Sequence, residues 1–207
     1  MAHTTPPDLL VLHALRCVGS APAARLAKAA GLDEGDTVSE LIDHARSGYA
    51  SFASGTFGGW SLTQAGRTRD AELIAAELVA ADARPAVEWA YAQFLPLNPE
   101  LLDLSTDWQL MRVGPATWPN DHTDAGYDAL VLRRLTILDR RAQVILARLE
   151  TVLRRFGTYR TRLSGALAAA NTGEHAMVAD DVDSYHAVWF QWHEDLLVTL
   201  GRPRFQA

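Results

Sequence analysis

Glycine divides the first fifty residues into three pieces, and each piece is short for a helix standing alone. Leu9, Leu12 and Leu15 repeat at helical spacing behind Asp8, which reads as the N-cap of a helix running through Cys17, and Gly19 stops it. Ala23–Ala30 follows and meets Gly31 at the position where a left-handed residue ends a helix. Val38, Leu41, Ile42 and Ala45 form the apolar face of a third helix, Glu34–Arg46, closed by Gly48. Isolated helices shorter than about 12–15 residues are marginal in water, so these three must bury against one another.

The next segment changes period. Tyr49 and Phe52 alternate as in a strand, Gly55, Gly58 and Gly59 supply a turn, and Trp60-Ser61-Leu62-Thr63 reads as the return strand. Thr63 is placed to cap a helix over Gln64–Ala81. Three short helices, a hairpin and a departing helix follow the order of a winged helix-turn-helix. Gly48-Tyr49 together with Gly59-Trp60-Ser61-Leu62-Thr63-Gln64-Ala65-Gly66-Arg67 resembles the winged head of MarR-like bacterial transcription regulators, over roughly residues 8–80.

That resemblance implies double-stranded DNA as partner, bound by a homodimer, with Glu34–Arg46 in the major groove and Ala23–Ala30 crossing the backbone. The cations it would bring to phosphates are Arg25, Lys28, Arg46, Arg67 and Arg69; Thr37, Ser39 and His44 are its base-reading side chains. Two features of the residues pull the other way. The first turn of the third helix reads Asp33-Glu34-Gly35-Asp36, and the hairpin has no Lys or Arg before Arg67. DNA affinity comes mainly from neutralised phosphates, so a winged helix used for protein–protein contact without DNA is the alternative expectation.

Beyond Ala83 the pattern is helical again. Trp89 and Phe94 lie on a helix over Ala86–Leu95, and Asn98 can cap another over Glu100–Leu110, whereas Arg112–Tyr127 shows no periodicity. Val131, Leu135, Leu138, Ala142, Ile145, Leu149, Val152 and Phe156 then recur at alternating spacings of four and three, the seam of one long helix. Leu130, Ile137 and Val144 make a second stripe, and Arg134, Arg141, Arg148 and Arg155 repeat every seven residues as flanking charge. Shorter helices are expected over Tyr159–Ala170 and Asp183–Leu200. The expected fold is therefore mainly α: a winged helix-turn-helix over 1–82 with a small hairpin wing, then an all-helical bundle over 83–207 that dimerises.

Trp189 and Trp192 share a stripe of the last helix with His186 and His193 beside them. With Trp108, Trp118, His122 and Asp183 they are the candidate lining for a small-molecule effector. His186 and His193 are seven residues apart, too far for the i, i+4 pairing of helical metal sites. Asp183 and His186 are better spaced, and the loop Asn120–Asp124 can add donors, but no metal and no cofactor is assigned on this pattern. The chain contains no nucleophile elbow, P-loop, dinucleotide fingerprint or H-E-x-x-H, so no catalytic activity is expected.

Charge and cysteine content narrow the setting. Net charge is −6, with nine Arg between Arg133 and Arg162 against Asp139 and Glu150 alone. The single Cys17 rules out an intramolecular disulfide, Met1–Leu10 lacks the features of a secretory leader, and no apolar run reaches membrane-spanning length. A cytoplasmic location without membrane contact is expected.

Overall fold

The computed structural model describes residues 2–55, 58–113 and 116–203, without the side chains of 112 and 113. The fold is mainly helical with two small antiparallel hairpins. In chain order the elements are α1 (Pro7–Val18), α2 (Ala23–Ala30), α3 (Glu34–Arg46), β1 (Ala50–Ala53), β2 (Gly59–Leu62), α4 (Gln64–Ala80), α5 (Arg84–Phe94) and α6 (Leu97–Gln109). They continue with β3 (Leu110–Val113), β4 (Ala116–Pro119), α7 (Ala125–Glu150), a 3-10 turn (Arg154–Phe156), α8 (Gly157–Asn171), α9 (Ala176–Ala179) and α10 (Tyr185–Leu200). Wing residues 56 and 57 lie outside the described residues.

The contacts divide the chain differently from a single cut at 82/83. One compact unit comprises 1–88, 149–158 and 191–207; the other comprises 89–148 and 159–190. In the first unit α1, α2 and α3 close on Val11, Leu15, Leu26 and Leu41, with Trp60 and Leu62 packed against them. The hairpin pairs Phe52 with Trp60, and Ala21 joins β2 by exchanging hydrogen bonds with Trp60 at 3.1 and 2.9 Å.

The G-W-S-L-T-x-x-G stretch has a purely architectural explanation. The Thr63 hydroxyl accepts from the Gly66 amide at 3.0 Å, capping α4, and donates to the Gly48 carbonyl at 2.7 Å. A Cβ on Gly66 would sit 2.0 Å from the Tyr49 carbonyl oxygen, and one on Gly59 would sit 2.8 Å from the Ala21 backbone. Only glycine lets α4 come this close to the Tyr49 carbonyl and β2 to the Ala21 backbone.

Several expectations shift at element ends. Pro6, without a side-chain bond, precedes α1, so Asp8 lies in the first turn rather than capping it. Asn98 is inside α6 rather than at its cap. The stretch without periodicity contains the β3–β4 hairpin, which pairs Leu110 with Pro119 and Met111 with Trp118, so the second half is helical apart from this ribbon. The long seam follows α7 as far as Leu149. The chain then turns, and Val152 and Arg154 bond across to the backbone of His3.

In the second unit the seam residues Val131, Leu135, Leu138 and Ala142 are buried, as are Phe94, Trp108, Tyr185 and Trp189. Trp189 stacks on Phe94 at 5.0 Å, and its indole N–H donates to Asn98 at 3.1 Å. Burial and the neighbouring Asp139 carboxylate, whose oxygen accepts from Tyr185 at 3.1 Å, push the Tyr185 phenol well above its ordinary value.

Candidate functional site

Three places carry chemistry: the α3 face, a buried ionic cluster in the first unit, and a histidine cluster in the second.

On α3, helical geometry separates the nominated side chains. Asp33 caps the helix by accepting from the Gly35 amide at 2.7 Å, which accounts for one of the acids at its start. Thr37 is fully buried and donates to the Asp33 carbonyl, while His44 is 9% exposed and bonds the Asp8 carbonyl at 2.8 Å. Neither can read a base, because each faces the head's interior. Ser39 is exposed but donates to the Gly35 carbonyl. Arg46 pairs with Asp43 at 3.1 Å and Arg69 with Glu72 at 3.4 Å; Arg25 is half-buried, and Lys28 and Arg67 are exposed.

What α3 presents to solvent is therefore Glu34, Asp36, Ser39, Ile42, Asp43 and Arg46, with Glu40 half-buried. A cavity of about 240 Å³ opens beside this face, lined in part by Asp8, Leu12, Glu40, Asp43 and Tyr49. On the wing, Phe52 stacks with Trp60 at 5.2 Å and stays 61% exposed.

The ionic cluster was invisible as a site in the sequence. Arg155 donates to Glu77 at 3.0 Å, to Thr199 at 2.8 Å and to Asp195. His13 bridges Asp70 at 2.9 Å and Asp195 at 3.2 Å, and Thr5 donates to Glu77. All these groups are buried. Burial opposes a charge on His13, but the Asp70 and Asp195 carboxylates outweigh it and raise the imidazole well above its ordinary value. Burial alone would raise Asp195; Arg155 and His13 instead hold its carboxyl well below the usual carboxylate range. Cys17 lies 3.5 Å from His13, yet burial pushes its thiol up, so it lacks the accessible thiolate a nucleophile requires. The cluster ties α1, α4, the 3-10 turn and α10 together. Its one legible signal was polar residues on an apolar helical face, Asp70 and Glu77 sharing theirs with Ile74 and Leu78.

The candidate effector residues are divided between the two units. Trp192 and His193 belong to the first unit, and the remaining six to the second. Trp118 is 61% exposed on β4, whereas Trp108, Trp189 and Trp192 are fully buried. Trp189 is spoken for by Phe94, Tyr185 and Asn98. His186 is half-buried against Phe190 at 4.7 Å, and burial lowers its pKa, with Asp180 partly opposing. Asp183 sits at the turn before α10, its amide donating to Asp181 at 2.7 Å.

His122 meets Trp108 of its own candidate set and Asn120 of the nominated loop, and with them two residues that the sequence had not singled out, Asp128 and His175. The His122 Nδ1 lies 3.0 and 3.1 Å from the two carboxylate oxygens of Asp128. His175 faces it with ring centroids 5.0 Å apart, and the buried Trp108 ring borders both imidazoles at 4.5 and 5.5 Å. Asn120 donates to Asp128 at 2.8 Å and to the Trp108 carbonyl at 3.0 Å, and accepts from the His122 amide at 3.1 Å. His122 has φ +59°, a left-handed conformation rare outside glycine and found where the surroundings over-determine the backbone.

Comparison with family models, curated proteins and solved structures finds no match for this chain. No helix among the described residues is long and apolar enough to cross a membrane.

Proposed function

We propose that the chain is a winged-helix interaction module whose α3 face docks a basic protein surface. The observation that carries this reading is the charge that α3 carries: Glu34, Asp36 and Asp43 exposed and Glu40 half-buried, answered on the helix only by Arg46, itself paired to Asp43. Inserted into a major groove, those carboxylates would meet a phosphate lattice with one negative charge per about 1.7 Å of duplex axis. Opposite a cationic partner the same charges attract, and the neighbouring cavity, lined by Asp8, Glu40 and Asp43 against the cation Arg69, keeps the same sign of charge. Ile42 on α3 and Phe52 on the wing are exposed and available for apolar contact.

The second reading is a dimeric, effector-responsive DNA-binding regulator of the MarR-like kind. The order α1–α2–α3–β1–β2–α4 and the exposed cations Lys28 and Arg67 favour it. Fluorescence anisotropy separates the two readings. At low salt the chain is expected to leave a labelled duplex from its own upstream DNA unbound. It is expected to bind a labelled Lys/Leu helical peptide, more weakly after Glu40→Gln with Asp43→Asn. Reversing Asp36 and Asp43 to Lys should create salt-sensitive duplex binding. Sequence-preferring duplex binding by the natural chain would overturn the docking reading in favour of the regulator.

A further inference from the structure

We infer that His122, Asp128 and His175 form a mononuclear site for a divalent transition metal, independent of what the winged head contacts. The donor atoms of the three residues lie within 4.8 Å of one another. Two imidazoles and one carboxylate are the donor set of open zinc and non-haem iron sites, in which the remaining positions are left for water or a small ligand. Nitrogen donors select such ions over magnesium or calcium, which prefer all-oxygen shells. Bonds of about 2.0–2.1 Å place adjacent ligand atoms roughly 2.8–3.4 Å apart, from octahedral to tetrahedral angles, and His122 Nδ1 already stands 3.0 Å from Asp128. An ion entering there replaces the hydrogen bond between them, with His122 carrying its proton on Nε2, and draws in the His175 donor from within 4.8 Å.

The surroundings are those of a supported ligand set. Asn120, buried, holds the Asp128 carboxylate through its amide and the His122 backbone through its carbonyl oxygen, so both ligands are oriented by one side chain. Trp108, fully buried, gives the site an apolar wall, which strengthens ion–ligand attraction by excluding water. The three ligands come from the loop after β4, the first turn of α7 and the residue before α9, so a bound ion pins together segments more than forty residues apart in the chain.

The test uses the full chain without a histidine tag, stripped with EDTA. Calorimetric titration with Zn²⁺ is expected to give one equivalent per chain, with a rise in Tm, and Co²⁺ is expected to give the visible d–d bands of a low-coordinate site. His175→Ala, at a half-exposed position, should keep the fold and weaken Zn²⁺ binding at least tenfold; Asp128→Asn should do the same. His186→Ala, outside the cluster, should bind as the natural chain does. Should Asp128→Asn fail to fold, His175→Ala decides alone. No stoichiometric uptake of Zn²⁺, or uptake unchanged by His175→Ala, overturns the assignment.

Discussion

At single residues the structure makes two sharp statements. Gly66 is a spacing device: any side chain there meets the Tyr49 carbonyl. Gly66→Ala should cost about 1–3 kcal/mol by urea denaturation, the range for an overpacked core. The ionic cluster makes stability pH-dependent in a defined direction. His13 is raised in the folded state, so its contribution is complete below about pH 6.5 and drains as pH climbs towards its folded value. Asp195 is lowered, so its contribution is complete above about pH 4 and is lost as acid protonates it. Stability should therefore peak between these limits. Above the upper one it should fall by up to about 1.4 kcal/mol per pH unit, a slope that His13→Gln should flatten. Arg155→Met leaves Glu77 and Asp195 buried without their cation and should cost about 3–5 kcal/mol.

Among elements, α7 is the most exposed to test. Its inner seam is buried, yet Leu130, Ile137 and Val144 stand 51%, 51% and 66% exposed at seven-residue intervals, with Arg133 and Arg140 between them. Arg134 and Arg141 are held by Asp107 and Glu100 of α6, each at 2.6 Å, and Arg148 covers the Trp89 ring at 4.0 Å. An apolar stripe of this regularity on a solvent face suits a second copy of the chain. Sedimentation should find a homodimer, and Ile137→Glu should give a monomer with unchanged helical content. The long helix was legible because its four-and-three spacing persists from Val131 to Leu149. The β3–β4 hairpin was not: Leu110-Met111-Arg112-Val113 and Ala116-Thr117-Trp118-Pro119 are four-residue strands, too short to show alternation above noise.

For the whole molecule, the consequential finding is that the winged head is not closed by its own sequence. Residues 149–158 and 191–207 belong to its compact unit, and Arg155 and Asp195 neutralise charges buried on α1 and α4. The isolated segment 1–82 should therefore lack cooperative unfolding and dispersed amide resonances, both of which the full chain should show. A natively folded isolated head would refute this. The helix ends at Gly31, Gly48 and Thr63, the wing and the α7 seam were written locally, because caps, turns and amphipathic periods act over a few neighbouring residues, whereas the caps read at Asp8 and Asn98 were not at helix ends. Which polar groups meet is a different kind of property. The partnerships of His13 with Asp195 and of His122 with His175 join residues far apart in the chain, and no local pattern encodes them. Only packing decides that Thr37 and His44 turn inward while Asp36 and Asp43 turn out, because burial depends on what covers a helix face as well as on its period.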